Sequence, residues 1–253
     1  MEKEEANPEK PEKDDWAPAL QKTLARWEVT LPPDGLENFR IYLHELDHWN
    51  QRINLTALRE PKHIALGHFA DSLAPMCVDK VFEAKHIQAI DIGTGAGFPG
   101  LPLKIANPDW RFTLLESVGK KCDFLRAVIN AMELNHVEVF QKRAEEIGHD
   151  KEHREKYDFV FARALSGLST LIEYGLPFLK MNGILIAHRG RTAADEASRV
   201  NVALEELGGE IDGIHHYEIP DLGGSRALVL VKKVRATTKH YPRRAGVAAK
   251  RPL

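Results

Sequence analysis

Residues 89–100 read Ala89-Ile90-Asp91-Ile92-Gly93-Thr94-Gly95-Ala96-Gly97-Phe98-Pro99-Gly100. A short apolar strand ends on an acid, and a glycine-rich turn follows at once. Without Cβ atoms the turn lets backbone approach a ligand closely and take up positive φ. The helix that follows starts with free N–H groups aimed at the same ligand. This is the build of a nucleotide-cofactor site.

Two patterns overlap in the stretch. Gly95-Ala96-Gly97-Phe98-Pro99-Gly100 satisfies the dinucleotide fingerprint G-x-G-x-x-G. Asp91-Ile92-Gly93-Thr94-Gly95-Ala96-Gly97 is similar to the first motif of S-adenosylmethionine-dependent methyltransferases. Charge separates the two. A pyrophosphate wants N–H donors and no nearby carboxylate, so Asp91 would repel it. A sulfonium and an ammonium suit an acid there. Gly95 also lies four residues past Asp91, too late for the first glycine of a dinucleotide turn.

The rest of the chain supports a sheet around this turn. Strands are expected at Ile87–Ile92, Phe112–Leu115, Val137–Phe140, Tyr157–Ala162 and Gly183–Ala187, with helices at Leu101–Ala106, Lys120–Leu134 and Thr192–Leu207. Strand–helix alternation implies a mostly parallel, doubly wound α/β sheet. Ile211–Ile219 and Arg226–Lys233, joined by a short connection, imply an antiparallel hairpin at one edge, which brings the sheet to seven strands. Upstream, apolar residues recur at helical spacing in Trp16–Trp27, in Gly35–Arg52 (Leu36, Phe39, Leu43, Leu46, Ile53) and after Pro61. The expected organisation is an acidic disordered tail over 1–15, a helical unit over 16–85, a cofactor-binding domain over 86–234 and a basic tail over 235–253.

Composition bounds the function. The 253 residues carry a net charge of −2, with 43% apolar and 28% charged residues, as in an ordinary soluble protein. No run is long enough to cross a membrane, and the N-terminus lacks an apolar signal core, so a cytoplasmic protein is expected. Cys77 and Cys122 form no framework and are expected as free thiols. The near-neutral total hides an asymmetry. Residues 1–15 hold seven acids against three lysines, whereas residues 232–253 hold eight Lys or Arg and no acid. The basic end reads as a polyanion-binding tail.

Further candidates surround the glycine loop. Glu116 closes the second strand, 19 residues beyond Gly97, where an acid accepts the ribose hydroxyls. Arg143-Ala144-Glu145-Glu146 follows the third strand, beside the adenine. It either reads the base through N–H groups or an acid, or is simply a helix start that favours acids. Arg163 leaves the fourth strand on the rim that faces the methyl group and the substrate. No Pro-Pro-Tyr/Phe or Pro-Cys motif for adenine-N6 or cytosine-C5 chemistry follows it. Arg189 and Arg191 end the fifth strand on the same rim and suit RNA phosphates or a guanine edge. His44-Glu45-Leu46-Asp47-His48 matches H-E-x-x-H. Its histidines fall opposite the apolar stripe with no third ligand, so no metal is expected.

Taken in order, these segments resemble the bacterial small-subunit rRNA (guanine-N7) methyltransferases, the RsmG or GidB family. Trp49-Asn50-Gln51-Arg52-Ile53-Asn54-Leu55-Thr56 and His68-Phe69-Ala70-Asp71-Ser72 are similar to its N-terminal signatures. The glycine loop, Leu114–Ser117, Arg143–Glu145, Ala162–Ala164 and Tyr241–Gly246 follow. The resemblance implies a Rossmann-like class I methyltransferase fold with S-adenosyl-L-methionine as cofactor. It places cofactor contacts on Gly93, Phe98, Ala144, Glu145 and Arg163, beside Asp91, Gly95, Gly97 and Glu116 read from the residues themselves. It implies 16S rRNA, at its 530 loop in the small ribosomal subunit, as substrate. Arg163, Arg189, Arg191, Arg243 and Arg244 are the expected RNA contacts. Arg189 departs from the lysine usual before that glycine. A monomer is expected. In the N-terminal signatures, Asn54 is a candidate cap, and His68 and Asp71 are spaced to pair with each other. Guanine N7 carries an in-plane lone pair and no proton, so no general base is expected. A nicotinamide-dependent oxidoreductase, a small-molecule methyltransferase and a non-catalytic RNA-binding module are the alternatives. Asp91 and the early Gly93 speak against the first, the rim arginines against the second, and the intact loop with Glu116 against the third.

Overall fold

The computed structural model describes residues 15–78 and 86–253. The acidic stretch before residue 15 lies outside the described residues, apart from Asp15 itself.

Helix α1 (Trp16–Arg26) buries Trp16, Leu20 and Leu24 on one face, and Pro32-Pro33 follow its end. Helix α2 (Gly35–Asn50) buries Phe39, Tyr42, Leu46 and Asn50. The stripe is therefore centred on Tyr42, with Leu36 and Leu43 only half-buried at its margin. His44 and His48 are exposed. A third helical stretch starts as α3 (Pro61–Ile64), passes through a π-helical turn at Ala65–Ala70 and continues as α4 (Asp71–Leu73). π turns are rare and concentrate at functional sites.

Then come β1 (Gln88–Ile92), α5 (Gly100–Ala106), β2 (Arg111–Glu116), α6 (Gly119–Ala131), β3 (Val137–Gln141), α7 (Ala144–Ile147), β4 (Tyr157–Arg163), α8 (Leu168–Gly175), β5 (Leu179–Arg189), α9 (Ala193–Ser198), α10 (Asn201–Leu207), β6 (Gly209–Tyr217), β7 (Arg226–Lys233) and α11 (Val247–Lys250). The single helix expected over Thr192–Leu207 is two helices, α7 starts where one of the two readings of Arg143–Glu146 puts a helix, and α8 and α11 carry no local signal. The sheet order is β3-β2-β1-β4-β5-β7-β6. β1 to β5 pair in parallel, and β7 is antiparallel to both β5 and β6.

Period-2 alternation splits the core between the two faces of the sheet. Ala89, Phe112, Leu114, Phe159, Phe161 and Ile186 face the N-terminal helices, α5 and α6. Ile90, Ile92, Leu115, Val160, Ala162 and Leu185 face α8 to α10. The N-terminal helices thus share one core with the sheet. The basic C-terminal segment is also folded: Tyr241 and Ala248 are buried in the second cluster. Among the described residues no helix is long and apolar enough to cross a membrane.

Gly100 opens α5 under the sheet. A Cβ there would stand 2.5 Å from Leu114 Cδ2 and 3.0 Å from Asp91 Oδ2. The third glycine of the G-x-G-x-x-G match therefore has a packing reason and needs no pyrophosphate. Gly100→Ala is expected to lower stability by about 1–3 kcal/mol through overpacking, read as a fall in Tm.

Candidate active site

The parallel strands β1 to β4 end on one rim, and the glycine loop leaves β1 there. Gly93 and Thr94 both donate to Leu115 O of β2 (2.8 and 3.1 Å), which starts the turn. Asp91 is fully buried beneath it. Its Oδ2 accepts from Thr94 Oγ1 (2.5 Å) and from the Gly100 N–H (2.8 Å). Burial pushes the Asp91 carboxyl up to about 7, against the pull of those two bonds and of Arg163. Its Oδ1 has no partner. Tyr42 of α2 donates its hydroxyl to Ala96 O, pinning the loop from the helical side.

Glu116 closes β2 buried. Its Oε2 accepts from the Gly95 N–H (3.0 Å) and its Oε1 from the Val118 N–H (2.8 Å). The residue read as a ribose acceptor thus also ties the loop to β2. Oε1 also accepts from Ser117 Oγ at 3.5 Å, whereas Oε2 keeps a second lone pair for a hydroxyl. Past β3, where the adenine end is expected, Ala144 and Glu145 are buried. The Glu145 carboxylate accepts from the Gly246 N–H (3.0 Å) and is bonded to Tyr174.

Phe98 turns its ring inward, 6% exposed. It stacks on His68 (4.5 Å between centroids) and Tyr42 (5.4 Å), and Arg163 Cζ lies 5.0 Å from its centroid. What Phe98 offers the cleft is backbone. Ala164, at φ +51, turns the chain so that Leu165 lies over Gly93, where a Cβ would stand 2.5 Å from Leu165 Cδ1.

Arg163 is the centre of the polar cluster. Its Nη1 donates to Asp71 Oδ2 (2.7 Å) and Gly67 O (3.2 Å), and its Nη2 to His68 Nδ1 (2.8 Å). His68 therefore accepts at Nδ1, which leaves its Nε2–H for Thr56 Oγ1 (2.5 Å). His68 and Asp71 do not pair with each other. The π turn presents both to the same guanidinium. Asn50 takes the expected role of Asn54: its Oδ1 accepts from the Leu55 and Thr56 N–H groups, while Asn54 is exposed. Asp71 also accepts from Tyr217 Oη (2.8 Å) and pairs with Arg226 Nε (3.2 Å). His188 Nε2 donates to Asp71 O (3.0 Å). Burial drives both His68 and His188 down to about 4, so both rings are neutral at pH 7. Burial alone would raise Asp71; the His188 ring, Arg163 and the Tyr217 hydroxyl outweigh it and hold the carboxyl below its ordinary value.

Asp71, Arg163, His188, Arg189, Tyr217 and Arg226 line a cleft of about 380 Å³ at this rim. Sequence reasoning missed Tyr42, Tyr217 and Arg226. No local pattern marks them, because pairing of β5, β7 and β6 brings the latter two to the rim.

The expected RNA contacts separate into two groups. Arg189 is largely buried, with Nη2 on Ser166 O (2.9 Å) and Nε 3.3 Å from Glu196. Arg243 grips Glu173 through Nε and Nη2 (3.0 and 2.6 Å). Both guanidinium groups are engaged with partners within the fold. Arg191 and Arg244 are exposed. Among the described residues no group of three His, Cys, Asp or Glu could hold a metal ion.

A seven-stranded sheet of this order, with an acid-tipped glycine loop after β1 and an acid closing β2, defines a class I S-adenosylmethionine-dependent methyltransferase. Solved structures share the fold. One from Galdieria sulphuraria, assigned as a sarcosine/dimethylglycine methyltransferase, superposes with a TM-score of 0.52 at 12% identity, over 78% of this chain and 98% of that one. A protein of Pyrococcus horikoshii assigned as a transferase gives 0.52 at 11% identity, over 66% and 64%. Within the class, the chain belongs to the rRNA small subunit methyltransferase G (GidB) family, whose profile matches residues 35–222. Ribosomal RNA small subunit methyltransferase G of Desulforamulus reducens is 42% identical, over 92% of this chain and 97% of that protein. That of Roseiflexus castenholzii is 43% identical, over 92% and 98%.

The residues of the glycine loop suit the cofactor of that class. Asp91 Oδ1 is a buried acceptor without a partner, suited to a cation. Gly95 opens on empty space where a Cβ would stand.

Proposed function

We propose that this chain transfers the methyl group of S-adenosyl-L-methionine to N7 of a guanine in the 530 loop of 16S rRNA. Its partner is the small ribosomal subunit or its rRNA, and it acts in the cytoplasm as a monomer. The observation that carries the reading is the Arg163 guanidinium, held on the rim at the end of β4 and against Phe98 of the glycine loop.

The bound cofactor would supply an electrophilic methyl group on a sulfonium. Gly93 to Gly97 and Ala144–Glu145 would hold it through backbone, and Asp91 and Glu116 through carboxylate oxygens. Arg163 would orient the guanine so that its N7 lone pair lies in line with the S–CH₃ bond. N7 holds no proton to remove, so positioning and electrostatics carry the acceleration. The polar cluster agrees with that chemistry: His68 and His188 are poor bases with values near 4. A-form RNA buries its major-groove edge, so the target guanine must lie in a loop or opened region. Arg191 and Arg244 would meet the flanking phosphates.

Mapping N7-methylguanosine in rRNA from cells with and without this chain tests the reading. One modified guanine is expected to disappear from the 530 loop; an unchanged map would overturn the proposal. Affinity for RNA should fall steeply with salt, and Arg191→Gln or Arg244→Gln should each flatten the log–log slope by about 1. A salt-independent affinity would argue for a small-molecule substrate.

A further inference from the structure

The basic C-terminal segment is tied down along most of its length. Arg154 donates from Nη1 to Tyr241 O (2.8 Å) and from Nη2 to Thr237 O (2.8 Å). His149 Nε2 donates to Pro242 O (2.7 Å). Arg243 closes on Glu173, which is 1% exposed, through its backbone N–H (2.8 Å) as well as its guanidinium. Such a bidentate pair on a buried acid fixes both position and orientation. Three further bonds tie it to α7 and α8. Gly246 N–H holds Glu145 at the adenine end. On α8, Thr170 Oγ1 donates to Ala248 O (3.1 Å) and Ser169 Oγ to Leu253 O (2.9 Å). α8 follows directly from the loop that carries Leu165 over Gly93.

The segment therefore bridges two helices, α7 through Gly246–Glu145 and α8 through Arg243–Glu173, Ala248–Thr170 and Leu253–Ser169. A free polyanion-binding arm would leave its arginines in water. Here the two adjacent arginines divide: Arg243 faces inward and Arg244 outward.

We infer that residues 241–253 are a strap that positions the adenine end of the cofactor cleft, acting through Arg243–Glu173 and Gly246–Glu145, so that this segment sets cofactor affinity. Arg243 and Glu173 are positioning residues in this arrangement; neither touches the cofactor. The inference rests on the methyltransferase reading of the cleft.

The test is a double dissociation between neighbours. Calorimetry on the full-length protein gives the Kd for S-adenosylhomocysteine, and filter binding with the cofactor product saturating gives the Kd for a 16S rRNA fragment. Arg243→Gln and Glu173→Gln should each raise the first Kd about tenfold or more, with the second within about twofold. Arg243→Lys, which keeps the charge and one contact, should recover part of the loss. Arg244→Gln should do the reverse, weakening RNA and leaving the cofactor Kd alone. Both measurements are made well below each variant's Tm, so loss of global stability alone would leave Kd unmoved. If Arg243→Gln weakens RNA and spares the cofactor, the segment is an RNA arm and the inference fails. If it moves neither, the strap is packing alone and the inference again fails. Failure of the methyltransferase reading would show separately, as no S-adenosylhomocysteine binding by the unmodified protein.

Discussion

Replacing Arg163 by alanine is expected to lower kcat for RNA methylation by about 10²–10³-fold, with cofactor Kd changed far less. That magnitude is typical of removing one preorganised donor at a transition state, about 2.7–4 kcal/mol. The preorganisation is visible in the partners. Asp71, His68 and Gly67 O fix the guanidinium from the helical side, and Phe98 supports its face. Asp71 also has an electrostatic duty. Methyl transfer to N7 moves positive charge from sulfur to the base, and an uncompensated guanidinium beside the base would raise the barrier. Asp71→Asn keeps the shape and removes the counter-charge of both Arg163 and Arg226, so kcat should drop about tenfold. Because Asp71 acts through Arg163, the double variant should cost no more than Arg163→Ala alone. Additive losses would show that Asp71 touches the substrate by an independent route. A depressed carboxyl contributes stability above its ordinary value of 3.8, and that stability is lost as pH falls through the lower folded value. The stability advantage of the unmodified protein over Asp71→Asn should therefore vanish only at strongly acid pH, in a Tm-versus-pH series.

Asp91 behaves in the opposite sense, and its replacement is the second large effect. Its carboxyl stands at about 7 when folded, against an ordinary 3.8. A raised acid contributes stability that is complete below the unfolded value and lost as pH rises through the folded one. The gap corresponds to about 4 kcal/mol at most, so the Tm of the free protein should fall between about pH 4 and pH 7. Asp91→Asn should flatten that fall. A cationic ligand favours the ionised form, so cofactor binding should tighten as pH rises through 7 and release a proton. Calorimetry in two buffers of different ionisation enthalpy reads that proton directly. Asp91→Asn should abolish the release and weaken the cofactor about 10–100-fold, as expected for losing a charge-assisted bond. Binding independent of pH would mean that Asp91 only braces Thr94 and Gly100.

The local signals worked where they depend on neighbours in sequence. Gly93 to Gly97, the acid before them and Glu116 lie within one strand–loop–helix–strand unit, whose geometry is set by backbone freedom and strand direction. Tyr42, Arg226 and Tyr217 depend on elements that are far apart in sequence. Tyr42 reaches Ala96 across 54 residues, and Tyr217 reaches Asp71 across 146. The basic tail shows the same limit. Charge counts cannot distinguish Arg243, closed on a buried acid 70 residues away, from its exposed neighbour Arg244.

By itself, then, the sequence determined the alternating sheet, the glycine turn and its preference for a cationic cofactor, because periodicity, Cβ sterics and charge are local properties. Only the tertiary structure decided which charges are free and which are spent. It paired Arg163 with Asp71 and engaged Arg189 with Glu196 and Arg243 with Glu173. A buried charge must find a partner or forfeit its solvation, and that partner is chosen by three-dimensional neighbourhood.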